Sequence, residues 1–275
     1  MPGTLYVVAT PIGNLADASP RALEILAGAD LIACEDTRTS RTLLAAHGIA
    51  ARTIALHAHN ERTATARLIA ALREGRNVAL VSDAGTPAVS DPGALVVAAA
   101  HREGIRVVPV PGPSAAIAAY SAAGFTGGRF LFAGFLPARS AKALDQLDVP
   151  CPVILYEAPH RIAATVRALL ERFGPAREIV IAREMTKKFE EVARMRLGDA
   201  PAWLEAGPHR QQGEFVLVLG PGEPKAAAPA PDPERVLDVL LEALPASEAA
   251  RLAARITGAP KNALYRAALA RKRKT

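Results

Sequence analysis

Short apolar runs alternate with amphipathic stretches through the first half of the chain. The apolar runs are LYVVAT, LIACE, RTIAL, NVALVS and RVVPV, and the stretches between them include SPRALEILAGA and NERTATARLIAALREG. We expect Ser19, which precedes Pro20, to cap the first of these two helices. Asn60 and Gly75 should bound the second helix. Strand–helix repetition with short apolar strands predicts a mostly parallel sheet covered by helices on both faces.

The alternation restarts after the glycine-rich segment GFTGGR at residues 124–129. The predicted strands of this half are FLFAGF, PVILYE, EIVIARE, FEEVARMRL and GEFVLVL. The last two leave room for only one short helix between them, which favours a mixed sheet with some antiparallel pairing. We therefore predict one α/β domain over residues 1–125 and a second α/β domain over residues 126–222.

The last fifth of the chain has a different pattern. PGEPKAAAPAPDPE, from Pro221 to Glu234, has no periodicity and predicts a Pro/Ala-rich linker at residues 223–234. ERVLDVLLEAL, SEAARLAARITG and PKNALYRAALARKRK predict three short helices within residues 235–275. We expect Ser247 to cap the middle helix and Gly258 to end it. The outline is that of a helix-turn-helix unit, although many small bundles share it.

Charge is concentrated at the end of the chain. Residues 1–224 carry 23 Lys and Arg against 22 Asp and Glu, whereas residues 250–275 carry eight basic residues and no acid. A basic end on a nearly neutral body suits a polyanion such as nucleic acid. A solvated tail with no ligand is an equally good interpretation of a bare charge run.

Composition narrows the class of protein. Aromatic residues make up only 4% of the chain, so few rings are available to stack on bases. Cys34 and Cys151 lie in apolar runs and predict buried thiols rather than a disulfide framework. The amino-terminal residues lack the pattern of a signal peptide, and no apolar run reaches the roughly 18 residues of a membrane span. We expect a soluble cytoplasmic protein.

Four loops follow predicted strands of the first sheet and should share one edge. They are TPIGNLAD (10–17), CEDTRTSR (34–41), SDAGTPAVSDPG (82–93) and PGPSA (111–115). The carboxyl ends of parallel strands line a common crevice, which is where open α/β sheets bind ligands. Gly85 and Gly112 permit close approach of a ligand, and Asp83 can accept its hydrogen bonds. Single loops of this composition are common turns, but together they favour a small-molecule site.

The second half adds YEAPHR (156–161) and REMTKK (183–188), again at strand ends. Glu157, His160 and Glu184 are eligible for proton transfer, and Arg161, Arg183 and Lys187 for phosphate binding. A helix-start residue at His160 and a surface ion pair between Glu184 and Lys187 are equally good interpretations. The six His residues are scattered, and no His/Cys cluster has ligand spacing. We expect no metal site.

Seven ordered segments closely resemble one family. LYVVATPIGNLADASPRALEIL, CEDTRTSRTLL, VSDAGTPAVSDPG, VPVPGPSAAIAA, GFLP, YEAPHRI and AREMTK are similar to the bacterial 16S ribosomal RNA cytidine 2′-O-ribose methyltransferases. These belong to the tetrapyrrole-methylase superfamily, the class III S-adenosylmethionine-dependent methyltransferases. The resemblance covers residues 4–224, and the helical tail resembles the family's small helix-turn-helix appendage. The loops TPIGNLAD and SDAG depart from the superfamily's tetrapyrrole enzymes, which disfavours a tetrapyrrole substrate.

The resemblance implies two α/β domains with S-adenosylmethionine in the cleft between them. The implied cofactor residues of the first domain are Pro11, Ile12, Asp83, Ala84, Gly85, Thr86, Ser114 and Ala115. Those of the second domain are Tyr156, Glu157, Met185, Gly213 and Glu214. Class III enzymes are commonly dimers, so the family analogy also implies a homodimer.

The implied reaction needs alignment of the ribose oxygen with the methyl group and removal of a hydroxyl proton. We expect Glu157 or Glu184 to act as the base, with Lys187 or Arg183 near the developing alkoxide. The candidate RNA contacts are Arg38, Arg41, Arg161, Arg183, Arg271, Lys272, Arg273 and Lys274. The RNA would be ribosomal, within the small subunit.

Two other functions are consistent with the sequence. A class III methylase of a small molecule or a protein would have the same body, and only the basic tail argues against it. A non-enzymatic RNA-binding protein would use the body as a scaffold, which leaves the glycines and acids at the strand ends unexplained.

Overall fold

The computed structural model describes residues 1–137, 141–207, 209–222 and 231–272. The chain divides into two compact units, Met1–Glu223 and Pro224–Thr275. The described part of the first unit contains two five-stranded sheets, and the described part of the second contains three helices. The α/β class with two sheets and a helical appendage is confirmed.

The first sheet is parallel, with strand order β3-β2-β4-β1-β5. Its strands are β1 (Thr4–Val8), β2 (Leu31–Cys34), β3 (Thr53–Ala55), β4 (Val78–Leu80) and β5 (Arg106–Val110). The intervening helices are α1 (Pro20–Gly28), α2 (Thr37–Ala46), α3 (Glu61–Arg73) and α4 (Ala94–Arg102), and α5 (Ala115–Ala123) follows β5. Apolar clusters lie on both faces of this sheet, which is why β2 and β4 are buried along their whole length.

Both predicted helix starts have the correct position, but only Ser19 forms a side-chain cap hydrogen bond. The Ser19 side chain accepts a hydrogen bond from the Ala22 amide at 3.1 Å and caps α1 as expected. Asn60 precedes α3, but its side chain accepts from the His57 amide and donates to the Ala55 carbonyl. It therefore braces the loop after β3 instead of capping the helix.

The second sheet is mixed, as predicted, with strand order β6-β7-β10-β8-β9. Its strands are β6 (Leu131–Phe135), β7 (Val153–Glu157), β8 (Glu178–Arg183), β9 (Glu191–Arg196) and β10 (Phe215–Leu219). β6 and β7 are parallel, and the other three pairs are antiparallel. The helices of this part are α6 (Ala141–Asp145), α7 (Ile162–Phe173) and α8 (Ala200–Glu205). α5 packs on β10 and β7, so the helix that leaves the first sheet covers one face of the second.

The second unit consists of α9 (Pro233–Leu241), α10 (Ala246–Thr257) and α11 (Lys261–Lys272). Leu237, Ala250 and Leu264 belong to its own buried apolar cluster. Gly258 ends α10 in the left-handed conformation, as predicted. The prediction that Ser247 caps α10 is wrong, because Pro245 holds the N-cap position and Ser247 lies inside the helix. In the described ranges no helix is both long enough and apolar enough to cross a membrane.

Candidate functional site

The loops at the carboxyl edge of the first sheet are joined by hydrogen bonds. Thr10 and Gly85 exchange two backbone hydrogen bonds, of 2.8 and 3.0 Å. The Thr86 hydroxyl donates to the Pro113 carbonyl at 3.1 Å. The three loops that follow β1, β4 and β5 therefore form one connected rim.

A cavity of about 340 Å³ opens at this rim, and residues from both sheets line it. The lining residues are Ile12, Ala84, Gly85, Thr86, Val89, Ser90, Asp91, Ser114, Ala115, Phe135, Tyr156, Glu157, Ala158, Pro159, Met185, Glu214, Phe215 and Val216. The volume and the mostly apolar lining with a few polar groups are typical of small-molecule sites.

Most of the residues proposed for the cofactor converge on this cavity. The lining includes Ile12, Ala84, Gly85, Thr86, Ser114, Ala115, Tyr156, Glu157, Met185 and Glu214. Pro11, Asp83 and Gly213 lie next to lining residues in the chain but outside the lining. The Asp83 carboxylate accepts from the Asp36 amide at 2.9 Å and so ties the loop after β4 to the loop after β2.

Several lining residues were missed by sequence reasoning. Val89, Ser90 and Asp91 lie in the same SDAGTPAVSDPG segment that was singled out, but only its first half was assigned. Phe135 ends β6 and belongs to GFLP, one of the segments that carry the family resemblance. Phe215 and Val216 begin β10 and look like ordinary core residues in the sequence.

Non-glycine residues with positive φ cluster in two loops beside the cavity. Ala88 and Ser90 have φ of 64° and 87°, and Glu184 and Thr186 have φ of 50° and 65°. Such backbone conformations cost about 1–3 kcal/mol each and persist only where the surroundings enforce them. The first pair flanks Val89 and the second flanks Met185, and both of these residues line the cavity, which supports a functional role for both loops.

Glu157 is buried and fully engaged. Its side chain is 1% exposed, and its carboxylate accepts from the Thr165 hydroxyl at 2.5 Å and the Ala158 amide at 2.8 Å. The Arg161 guanidinium lies 3.3 Å away and also donates to the Leu136 carbonyl. Glu157 and Arg161 together fix the start of α7 at the cavity wall.

Glu184, Lys187 and Glu214 form an ionic cluster beside the cavity. The Lys187 ammonium lies 2.9 Å from Glu184 and 2.6 Å from Glu214, a lining residue. Partial burial opposes ionisation of Glu184, but donation from Lys187 and the Glu214 amide outweighs it and lowers the pKa of Glu184. Partial burial also opposes the charge of Lys187, yet its two carboxylate partners raise the pKa of Lys187. Both groups are charged at neutral pH.

A second group of acids, Glu35, Asp83 and Asp91, lies in the loops after β2 and β4. Burial raises the pKa of Asp91, the Ser82 hydroxyl partly opposes this, and the Asp83 charge adds to it. Burial, Asp91 and Asp83 together raise the pKa of Glu35. Among the described residues, no group of His, Cys, Asp and Glu has the arrangement of a metal site.

The candidate RNA-binding cations of the body differ in exposure and in their hydrogen-bond partners. Arg38 and Arg41 are exposed, although Arg38 is paired with Asp36 at 2.6 Å. Arg183 is 6% exposed and donates to the Gln212 and Phe189 carbonyls at 2.7 and 3.0 Å. This geometry weighs against RNA binding by Arg183, because its guanidinium is already committed to the backbone.

The tail cations are only partly described. Arg271 pairs with Asp238 at 2.5 Å and Glu234 at 3.3 Å, so acids of α9 balance a charge that looked unopposed in the sequence. Lys272 ends α11, and Arg273 and Lys274 lie outside the described residues.

Two protein families match this chain, one in each of its two compact units. The profile of the tetrapyrrole (corrin/porphyrin) methylases matches residues 4–201, and that of the RsmI C-terminal HTH domain matches residues 227–272. The ribosomal RNA small subunit methyltransferase I of Mesorhizobium japonicum is 52% identical, with 95% of this chain and 90% of that protein covered. The protein of the same name from Escherichia coli O157:H7 is 46% identical, with 97% and 95% covered.

Solved structures of two methyltransferase chains have a fold similar to that of this chain. Uroporphyrin-III-C-methyltransferase from Thermus thermophilus is 26% identical with a TM-score of 0.57, over 79% of this chain and 94% of that chain. A uroporphyrin-III C-methyltransferase structure from the same organism, complexed with S-adenyl homocysteine, is 19% identical with a TM-score of 0.56, over 80% and 98%. The chain therefore belongs to the tetrapyrrole (corrin/porphyrin) methylase family, and it groups there with the relatives named ribosomal RNA small subunit methyltransferase I.

Proposed function

We propose that this chain is the methyltransferase that transfers a methyl group from S-adenosylmethionine to the ribose 2′-hydroxyl of a cytidine in 16S ribosomal RNA. Its relatives across nearly the whole chain bear the name of a small-subunit ribosomal RNA methyltransferase. The observation that carries the proposal is the cavity at the carboxyl edge of the first sheet, closed by residues of the second.

The cavity residues fit the cofactor in chemical character. Ile12, Met185 and Val216 offer an apolar surface for a purine ring. Gly85, at φ 80°, adopts a conformation that side chains rarely permit, and its lack of a side chain leaves room for a ligand beside Ile12. Glu214 supplies negative charge for a cationic ligand. We assign the ten predicted lining residues to the cofactor and give Pro11, Asp83 and Gly213 a supporting role.

Bound S-adenosylmethionine supplies a methyl group that is already activated by its sulfonium. The chain must then hold the ribose oxygen in line with that group, exclude water and accept a proton. The Lys187 ammonium, which pairs with the lining residue Glu214, is the cation that we propose to stabilise negative charge on the ribose oxygen or a neighbouring phosphate. Glu184 orients Lys187, and Glu157 orients the start of α7, so we assign both carboxylates positioning roles.

We propose that each unit contributes its own cations to RNA binding. Arg38 and Arg41 are exposed at the same sheet edge as the cavity. The second unit carries the exposed cations Arg255, Lys261 and Arg266, which form no ion pair with any other described residue. The 2′-hydroxyl distinguishes RNA from DNA, which is consistent with a ribosomal RNA substrate. We propose that the protein acts in the cytoplasm, where ribosomal RNA is found.

A homodimer is the proposed assembly. β6 is an edge strand, and Phe130, Leu131 and Phe135 expose 39%, 36% and 56% of their surface on and beside it. Exposed apolar side chains at one edge favour association with a second copy. Light scattering on the purified protein tests this, and a monomer at micromolar concentration would contradict it.

Nucleoside mass spectrometry of 16S ribosomal RNA tests the function directly. Cells that lack the gene should lose one 2′-O-methylcytidine, and the purified protein with S-adenosylmethionine should restore it. Free RNA and small subunits are offered in parallel, which identifies the physiological substrate. Unmethylated RNA after both incubations would contradict the proposal.

A further inference from the structure

We propose that Asp91 accepts the proton of the ribose hydroxyl during methyl transfer. The inference rests on the proposed function and adds to it a residue that motif matching did not select. Three carboxylates line the cavity: Asp91, Glu157 and Glu214.

The other two carboxylates are poorly suited to take a proton. Glu157 is 1% exposed and engaged by Thr165, Ala158 and Arg161, so neither a substrate hydroxyl nor water reaches it. Glu214 is bound to the Lys187 ammonium at 2.6 Å, which stabilises its ionised form and makes it a weak base. Asp91 makes no ion pair with any other residue in the described part of the chain.

The backbone around Asp91 is held in a defined and costly conformation. Ser90 has φ of 87°, and a Cβ on Gly134 of β6 would stand 3.3 Å from its hydroxyl. On the other side of Asp91, the Gly93 amide donates to the Glu61 carboxylate at 2.8 Å. The loop thus lies close against β6 and is hydrogen-bonded to α3, which restricts its motion and favours the pre-organisation that a reacting group needs.

The charged surroundings of Asp91 favour a basic carboxylate. The titratable groups that face it are Asp83, Glu35 and the Tyr156 phenol, and none of these is a cation. Burial and the Asp83 charge raise the pKa of Asp91 from its ordinary 3.8, against the Ser82 hydroxyl. A carboxylate of raised pKa is a better general base near neutral pH.

The bonds and the proton of the proposed methyl transfer are accounted for by the RNA, S-adenosylmethionine and Asp91. The ribose oxygen forms the new O–C bond as the C–S bond breaks, and the electron pair of the broken bond stays on sulfur. The hydroxyl proton passes to the Asp91 carboxylate, from which water removes it after turnover. The products are the 2′-O-methyl ribose and neutral S-adenosylhomocysteine.

The test compares Asp91→Asn, Asp91→Glu and the parent on small subunits from cells that lack the gene. Single-turnover methylation is followed against pH at saturating S-adenosylmethionine, and calorimetry gives the cofactor Kd. Asp91→Asn should lower the rate about a hundredfold or more and abolish the rise of rate with pH, with little change in Kd. Asp91→Glu should retain the pH dependence at a reduced rate. Asp145→Asn, at an exposed pair with Arg172, is the matched amide control and should behave as the parent.

Three results would overturn the inference. An Asp91→Asn rate near that of the parent removes Asp91 from the chemistry. A Kd weakened tenfold or more, with parental rate at saturation, makes it a cofactor ligand. A reduced rate that keeps its pH dependence places the base elsewhere. If the parent methylates no ribosomal RNA, the proposed function itself fails, and the inference fails with it.

Discussion

Gly213 lies so close to Glu184 that a Cβ atom on Gly213 would stand 2.5 Å from the Glu184 carboxyl carbon. On the other side of the same turn, a Cβ on Gly13 would stand 2.5 Å from Cγ of Lys187. The ion pair between Glu184 and Lys187 is therefore enclosed by two glycines, one from the loop after β1 and one that precedes β10. Because neither glycine carries a side chain, the Lys187 ammonium has room to pair with Glu184 beside the cavity.

Gly213→Ala should destabilise the protein and displace the ion pair. Gly213 has φ of 89°, where an alanine costs about 1–2 kcal/mol, and its methyl group would push the Glu184 carboxylate away from Lys187. Thermal unfolding should show a lower Tm than the parent. Gly28→Ala is the control, because Gly28 ends α1 with no atom within 4 Å of its added Cβ. An unchanged Tm for Gly213→Ala would mean that the loop relaxes without strain.

Glu184→Gln should remove a part of the stability that depends on pH. Because the pKa of Glu184 is lower in the folded than in the unfolded state, its contribution is present above the ordinary pKa of 4.5. That contribution is lost as the pH falls through the folded pKa. Urea unfolding across the acid range should therefore show parent and variant converging as pH falls. A constant difference between them would contradict the assignment.

Asp83→Ala should weaken S-adenosylmethionine binding by at most about tenfold to a hundredfold, because the charged hydrogen bond that is lost is worth about 1.5–3 kcal/mol and only its effect on loop order reaches the Kd. The effect would arise through the loops, since Asp83 accepts from the Asp36 amide at 2.9 Å and does not line the cavity. Asp83→Asn keeps an acceptor oxygen and should retain most of the affinity in calorimetry. Equal loss in both variants would point to direct contact between the charge and the ligand.

Much of this site could be predicted from local pattern. The parallel order of the first sheet follows from its apolar strands, and a parallel sheet places every strand-end loop on one edge. The pattern thus predicts that the loops carrying Ile12, Gly85 and Ser114 share one edge, and these three residues line one cavity. Their assignment to the cofactor is implied by the family resemblance and stays a prediction. Asp91 was missed because the sequence does not reveal which half of a long loop turns inward.

Long-range neighbours explain the remaining differences. Arg183 and Arg161 look like free cations in the sequence, and only the fold brings carbonyls of residues 212, 189 and 136 against their guanidinium groups. Arg271 similarly meets acids that lie 37 and 33 positions earlier in the chain. A charge count along the sequence cannot identify such pairs, because the partners are separated by whole helices.

The tail, residues 224–275, is a compact unit separate from the body. Deleting residues 224–275 should leave the body folded and able to bind S-adenosylmethionine, because each unit buries its own apolar cluster. RNA affinity should fall, and the dependence of log affinity on log salt should become shallower by about 0.7–0.9 per lost phosphate contact. If four tail cations contact phosphates, the slope drops by roughly three.

Point variants locate those contacts within the tail. Arg255, Lys261 and Arg266 are exposed and form no ion pair with another described residue, so replacing all three by Gln should reduce the slope by about two to three. Arg271→Gln is the matched comparison, and its effect on the slope should be smaller because Asp238 and Glu234 already balance its charge. Filter binding to small subunits at several salt concentrations gives all the slopes. If neither the truncation nor the triple variant changes the slope, the tail does not contact phosphate, and the RNA surface lies in the loops that carry Arg38 and Arg41.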